Sequence, residues 1–188
     1  MKNEIKSSWR SKTTYLALFV VGYLLWAGAI AGQNEVHAEE EGFEAPNIIL
    51  NRIDGKQFRL ADFRGQWVMV NFWATWCGPC VDEMPSLDAF SQKYKKENLE
   101  VLAVSVDTLP KEKVAEFVKA FNLSFQVFLD PSSEMSDKFA VNSLPATFVV
   151  NPEGLVVAHA LGARNWMDPV IQDYFAELMS FKRDTKSL

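Results

Sequence analysis

The sequence predicts an α/β domain in which a mixed central sheet has helices on both faces. Two strongly apolar, β-prone runs, 67–74 and 101–106, are typical of buried central strands. Segments with apolar residues at helical spacing follow both runs. Near the end, 146–151 and 155–161 are joined by Pro152-Glu153-Gly154, which indicates a hairpin. Strands that alternate with helices before a closing hairpin and helix predict this architecture.

The first elements of the domain have clear local signals. Ile48-Ile49-Leu50 and Phe58-Arg59-Leu60 flank Asp54-Gly55, a strong hairpin signal. After the first central strand, residues 77–98 have the apolar spacing of a helix. Pro85 lies inside this segment, and we expect it to start or kink the helix there.

The later helices are predicted from the positions of their apolar residues. Helical spacing places Val114, Phe117, Val118 and Phe121 on one face. A short strand at 125–129 precedes a short helix at 132–139, which Ser132 or Ser133 is expected to cap. The last helix is expected to bury six apolar residues: Val170, Ile171, Tyr174, Phe175, Leu178 and Phe181.

The N-terminal segment has the charge pattern of an exported protein. Four basic residues precede the apolar run 15–31, and acidic residues follow it. Positive charge before the run predicts a cytoplasmic N-terminus with the rest of the chain outside. We divide the chain into a cytoplasmic basic segment (1–14), a single-pass anchor in the inner or plasma membrane (15–32), a polar tether (33–42) and the domain (43–188). A cleaved signal peptide is the alternative to the anchor.

The charge of the exported part argues against some partners. Residues 33–188 contain 15 Lys and Arg against 23 Asp and Glu, which gives a net charge of −8. A surface of this sign disfavours nucleic acid or an anionic membrane surface as the main partner.

Both cysteines of the chain lie in Trp76-Cys77-Gly78-Pro79-Cys80, directly after the first central strand. Two thiols at this spacing can form and break a small-ring disulfide. A helix beginning near Cys77 would favour its thiolate, the nucleophile of disulfide exchange. Only His37 and His159 could complete a zinc site, and Val81 stands where c-type haem attachment needs histidine. We therefore predict a redox-active dithiol that needs no metal or cofactor.

The motif and its surroundings resemble a known family. Asn71-Phe-Trp-Ala-Thr-Trp-Cys-Gly-Pro-Cys80 and Glu83-Met84-Pro85 are similar to the membrane-anchored thioredoxin-fold proteins of the TlpA/ResA/CcmG type, which act in cytochrome c biogenesis. The resemblance extends from the N-terminal hairpin through Ser143-Leu144-Pro145 and covers roughly residues 43 to 180. It implies a thioredoxin fold with an N-terminal β-hairpin extension, on the extracytoplasmic (periplasmic) side.

The resemblance also implies roles for the site residues. Cys77 would be the exposed attacking thiol and Cys80 the resolving one. Pro145 would be a cis proline facing them, and Trp76 would shield the sulfurs from water, unless it simply packs in the core. Gly78-Pro79 resembles the dipeptide of reducing thioredoxins, so we expect a reductant.

One position departs from the pattern of cytoplasmic thioredoxins. Many of these carry a buried Asp where Asn71 stands, and an Asn side chain cannot titrate. Glu83, three residues after Cys80, is the nearest candidate for handling the resolving thiol's proton. An acid at this position is linked to proton handling in the resembled family. The alternative is a carboxylate stabilised by the helix N-terminus.

The leading functional hypothesis is a protein-disulfide reductase for the haem-site cysteines of apocytochromes c, supplied with electrons by a membrane-embedded thiol carrier. Alternatives are reduction of copper-site cysteines during oxidase assembly, general extracytoplasmic disulfide exchange, and a redox-inert binding module. A peroxidase of the peroxiredoxin type is disfavoured, because it needs threonine three residues before the cysteine, whereas Thr75 precedes Cys77 by two.

Overall fold

The computed structural model describes residues 37–184, with side chains from 42 to 180. The eight strands in this range are β1 (His37–Glu44), β2 (Ile49–Arg52), β3 (Gln57–Arg59), β4 (Trp67–Trp73), β5 (Leu99–Ser105), β6 (Gln126–Leu129), β7 (Ala146–Val150) and β8 (Leu155–Leu161). The four α-helices are α1 (Gly78–Tyr94), α2 (Lys111–Ala120), α3 (Glu134–Lys138) and α4 (Pro169–Asp184). Short 3₁₀ helices span Leu60–Phe63 and Lys95–Glu97.

All eight strands form one mixed sheet in the order β1-β8-β7-β4-β5-β6-β2-β3. Strand β4 lies at its centre, parallel to β5 and antiparallel to β7, and every residue of β4 is buried. The hairpins β2–β3 and β7–β8 form where Asp54-Gly55 and Pro152-Glu153-Gly154 predict them. The predicted α/β architecture is confirmed.

The sheet separates two apolar cores, one on each face. Because successive side chains of a strand point to opposite faces, Trp67, Met69 and Trp73 lie in one core and Val68, Val70 and Phe72 in the other. The first core contains the buried faces of α1 and α4, where the rings of Phe90 and Phe175 pack edge to face with centroids 4.9 Å apart. Asn71 shares its face of β4 with Met69 and Trp73 and therefore points toward α1.

Two local expectations concern the starts of helices. Helix α1 begins at Gly78, as expected for a helix that starts near Cys77, and it runs through Pro85 rather than starting there. Neither Ser132 nor Ser133 caps α3 with its side chain. Instead the buried carboxylate of Asp130 accepts hydrogen bonds from the backbone N–H groups of Met135 and Ser136. A carboxylate at this position also complements the positive end of the helix.

The last helix packs the expected face on the core, except at Val170. Val170 is 76% exposed, whereas Phe175 and Met179 are buried. Ile171, Tyr174 and Leu178 are partly buried against the same core. Val170 is the second residue of the helix. The side chain of Phe181 lies outside those that the structure describes.

The domain begins earlier than expected. Residues 33–42 were expected to form a polar tether, but β1 starts at His37 and pairs antiparallel with β8. The unpaired edge of a strand can form backbone hydrogen bonds with such a segment even though its sequence is charged. The predicted anchor, 15–32, lies outside the described residues. Among the helices of residues 37–184, none has the length and apolar character needed to cross a membrane.

Candidate active site

The two cysteines form a disulfide at the start of α1. Their Cα atoms are 5.3 Å apart. Cys77 is the N-cap residue of the helix, and its Sγ accepts a hydrogen bond from the backbone N–H of Cys80 at 3.3 Å. In the reduced protein, the same N–H and the helix N-terminus would stabilise a thiolate on Cys77. The sequence prediction of a dithiol at a strand-to-helix junction matches this arrangement.

The exposures of the two cysteines differ. Cys80 is fully buried, and Cys77 is 7% exposed, so Cys77 is largely covered rather than the exposed residue we expected. It nevertheless lines an open groove of about 590 Å³, whereas Cys80 does not. Only the sulfur of Cys77 is therefore placed for attack by or on a client.

The groove is formed by the active-site turn, the start of α3 and the loop before β7. It contains these residues: Trp76, Cys77, Gly78, Pro79, Val106, Ser133, Ser136, Asp137, Val141, Asn142, Ser143 and Leu144. Trp76 is 69% exposed, so the alternative that it packs in the core is wrong. The Leu144–Pro145 peptide bond is cis, as the resemblance implies. Pro145 itself is buried, and Leu144, the residue before it, lines the groove.

A buried carboxylate holds the turn before the cysteines. Asp107, which is 2% exposed, accepts hydrogen bonds from the backbone N–H of Thr75 at 2.9 Å and from its hydroxyl at 2.7 Å. The hydroxyl of Ser105 donates a third at 2.8 Å. These bonds connect the end of β5 to the end of β4, directly before Trp76 and Cys77. Asp107 therefore fixes the position of the turn.

We expect Asp107→Ala to destabilise the domain by about 2–3 kcal/mol, because it leaves buried donors of Thr75 and Ser105 without an acceptor. Asp107→Asn retains one acceptor oxygen and should cost less. Urea unfolding followed by tryptophan fluorescence measures both variants. Equal stability of the wild-type protein and Asp107→Ala would show that the turn does not depend on this carboxylate.

Glu83 lies one helical turn after Cys80 and is buried, with 3% of its surface exposed. Its Oε1 accepts a hydrogen bond from the amide of Asn71 at 2.9 Å. Its Oε2 accepts from the backbone N–H of Arg164 at 3.0 Å and from the indole N–H of Trp166 at 3.2 Å. The amide of Asn71 also donates to Thr147 at 2.9 Å. The structure thus brings together the two positions that sequence reasoning linked, Asn71 and Glu83.

Burial raises the pKa of Glu83 above its usual value, and its three hydrogen bonds and the charge of Arg164 oppose that rise only in part. The guanidinium of Arg164 donates to the backbone carbonyls of Leu161, Gly162 and Ala163, and burial lowers its own pKa. A carboxyl whose pKa is raised toward neutrality is better matched to proton exchange with a thiol.

Sequence reasoning missed four residues of this site. They are Asp107, Thr147, Arg164 and Trp166. Arg164 and Trp166 follow Glu83 by 81 and 83 positions, so no local pattern links them to it. The absence of an acidic residue at position 71 was the signal that another carboxylate would be needed. Within residues 37–184 there is no group of three or more His, Cys, Asp or Glu residues placed to hold a metal ion.

Comparisons with known proteins agree with this geometry. Residues 42–159 match the AhpC/TSA family. The thiol-disulfide oxidoreductase ResA of Bacillus subtilis (strain 168) is 33% identical over 93% of this chain and 94% of its own length. ResA of Geobacillus thermodenitrificans (strain NG80-2) is 34% identical over 83% of this chain and 87% of its own.

Solved structures show the same fold. A thiol:disulfide interchange protein DsbE, described as putative, from Chlorobium tepidum superposes with a TM-score of 0.68 at 26% identity, covering 74% of this chain and 98% of that one. A thioredoxin from Neisseria meningitidis, also described as putative, gives 0.64 at 27% identity, over 79% of this chain and 95% of that one. The thioredoxin-like fold is therefore confirmed.

Proposed function

The chain belongs to the AhpC/TSA family and is a thiol-disulfide oxidoreductase of the ResA type, and from this premise we propose that it reduces protein disulfides outside the cytoplasm. The observation that carries the proposal is the position of the disulfide. Cys77 caps α1 and borders an open groove, while Cys80 is fully buried beside it. Such a pair can exchange with a client through one sulfur and resolve through the other.

The reaction begins with the reduced protein. The Cys77 thiolate attacks one sulfur of the client disulfide, the client S–S bond breaks, and a mixed disulfide forms. Cys80 then gives up its proton and attacks the Sγ of Cys77. The second client cysteine leaves as a thiolate, and the Cys77–Cys80 disulfide forms. The client gains two electrons, which the two cysteines lose, and a reduced thiol donor must return them.

The clients we propose are apocytochromes c whose haem-site cysteines have become oxidised, and the donor is a membrane-embedded thiol carrier. The resemblance of the sequence to the cytochrome c biogenesis family supports this client. The basic and apolar N-terminal segment supports anchoring at the membrane with the domain on the outer side. Gly78-Pro79, the dipeptide of reducing thioredoxins, supports the direction of transfer. Copper-site cysteines of an oxidase assembly factor are the second candidate client.

A trapping experiment tests the proposal. In full-length Cys80→Ser, Cys77 can attack but the mixed disulfide cannot resolve, so clients stay covalently attached in the native membrane. We expect cytochrome c precursors, linked through their haem-site cysteines. The control is the Cys77→Ser/Cys80→Ser double variant, which should capture nothing. Capture of copper-site proteins would replace the proposed client, and an empty trap with a reactive Cys77 would contradict the reductase function.

A further inference from the structure

Glu83 reaches solvent through a cleft that is separate from the client groove. This cleft, of about 370 Å³, lies between α1 and the loop that follows β8. Its lining residues are Asp82, Glu83, Pro85, Ser86, Ala163, Arg164 and Asn165. None of them lines the groove that contains Cys77, and Glu83 does not line that groove. The buried carboxyl one helical turn after the resolving cysteine therefore has an opening of its own.

The loop that forms the far wall of the cleft is attached to α1 by Ser86. The hydroxyl of Ser86 lies 2.8 Å from the carbonyl of Glu83 and accepts a hydrogen bond from the backbone N–H of Trp166 at 3.2 Å. The loop also supplies the N–H groups of Arg164 and Trp166 that hold Glu83. Asp82 and Asn165 are exposed, so polar side chains border the cleft on both walls.

The separation matters when a client is bound. In the mixed disulfide the client is covalently attached at Cys77, and its chain occupies the groove. Cys80, which is fully buried, must then lose a proton before it can attack. A proton moved through the groove would have to pass the bound client. The groove and the cleft at Glu83 share no lining residue, so a chain that lies in the groove does not have to cover the cleft.

We propose that this cleft is the route by which Glu83 exchanges its proton with solvent while a client occupies the groove; the inference rests on the proposed function. The thiol of Cys80 transfers its proton to the ionised carboxylate of Glu83. The Cys80 thiolate attacks Cys77, and the S–S bond between Cys77 and the client breaks. The protonated Glu83 then passes its proton to water in the cleft, which restores the carboxylate.

The charges around Glu83 are compatible with this cycle. Among the described residues, the charged group that acts on Glu83 is Arg164, on the loop. Asp82 lines the same cleft, and Cys80 precedes Glu83 by three residues on the same helix. Asn71 and Trp166 donate to Glu83 from β4 and the loop, and Thr147 on β7 accepts from Asn71. None of these three side chains titrates in the working range. The positive charge of Arg164 favours return of Glu83 to its ionised form after each turnover.

Chemical rescue through the cleft is the test. Glu83→Ala removes the base but leaves the donors of Asn71, Arg164 and Trp166, which can hold a small carboxylate. The measured step is release of reduced peptide after pre-reduced full-length protein reacts with a fluorescent peptide disulfide. We expect Glu83→Ala to slow the release of reduced peptide about 10²-fold. Sodium formate should then raise the release rate of this variant at least about 10-fold, and the rate should saturate as the formate concentration increases.

Closing the cleft should abolish this rescue. Ala163→Phe adds bulk to the cleft wall. When it is combined with Glu83→Ala, formate should no longer accelerate peptide release. When it is combined with Cys80→Ser, the rate at which Cys77 attacks the peptide disulfide should stay the same. Asn165→Trp closes the cleft from an exposed position and replaces Ala163→Phe if that variant is not folded by circular dichroism. In both variants with Glu83 intact, release should slow about 10-fold.

Two results would overturn the inference. One is rescue by formate that persists with the cleft closed. The other is competition between the peptide client and formate, so that bound peptide abolishes the rescue. That result would place the proton route in the groove. These failures differ from a failure of the proposed function, in which Cys80→Ser would form no mixed disulfide with the peptide at all.

Discussion

Pre-reduced Cys77→Ser is expected to reduce a peptide disulfide at least about 10³-fold more slowly than the wild-type protein. A serine hydroxyl is not ionised near neutral pH, and the remaining thiol, Cys80, is fully buried and does not line the groove. The helix N-terminus that favours a thiolate at position 77 cannot make a nucleophile of the hydroxyl. Stopped-flow fluorescence of peptide release, with the protein in excess, measures the first turnover.

Cys80→Ser is the matched variant, because it keeps the attacking sulfur. It should consume the peptide disulfide at close to the wild-type rate and stop at a mixed disulfide, which mass spectrometry identifies. If instead Cys77→Ser formed the mixed disulfide and Cys80→Ser did not, the assignment of the attacking and resolving cysteines would be reversed.

The second large effect is expected for Glu83→Gln, which should slow resolution of the mixed disulfide about 10²-fold at pH 7. Glutamine keeps the size of the side chain but cannot accept the proton of Cys80. In the wild-type protein, resolution should accelerate as pH rises through the raised pKa of Glu83, because only the ionised carboxylate is a base. In the variant it should accelerate only when the thiol itself ionises, near about pH 8.5 for an ordinary cysteine. Identical pH–rate profiles would rule out the proton-handling role.

The same substitution changes the pH dependence of stability, which provides a separate readout. Because the pKa of Glu83 is higher in the folded state, the folded protein binds this proton more tightly than the unfolded chain does. Its contribution to stability is present below the unfolded pKa and is lost as pH rises through the folded pKa. Glu83→Gln should not show this loss, so its free energy of unfolding, relative to wild type, should increase across that interval in urea titrations.

The structure offers a way to accommodate the glutamine. The Oδ1 atom of Asn71 has no hydrogen-bond partner among the described residues. Rotation of this amide by 180° would let Oδ1 accept from the new side-chain NH₂ group, while the glutamine oxygen still accepts from Arg164 and Trp166. A rise in stability together with a slower resolving step would separate the role of the charge from the role of the fold.

Much of the fold can be predicted from the sequence because its signals are local. The central strand β4 is a continuous apolar run, and Asp54-Gly55 and Pro152-Glu153-Gly154 each specify a turn that joins two strands. The thiols needed no tertiary information either, since both lie within four residues at a strand-to-helix junction. In these cases neighbouring residues decide the structure.

The remaining features depend on contacts between distant segments. The partners of Glu83 come from β4 and from a loop more than 80 residues away, and the anchor of the active-site turn, Asp107, follows Thr75 by 32 positions. Val170 has an apolar side chain that fits the periodicity of its helix, yet it is exposed at the start of that helix. Such outcomes are set by where elements pack, which spacing along the chain does not encode.

The order of the strands has a consequence for solubility in the presence of unfolded clients. The outer strands of the described sheet are β1, whose sequence includes Glu39-Glu40-Glu41, and β3, which is only three residues long. Short or charged border strands resist joining the backbone of another extended polypeptide, the event that starts amyloid-like aggregation. Under the proposed function, in which the clients are unfolded precursors, such border strands would protect the protein against being recruited into deposits with them.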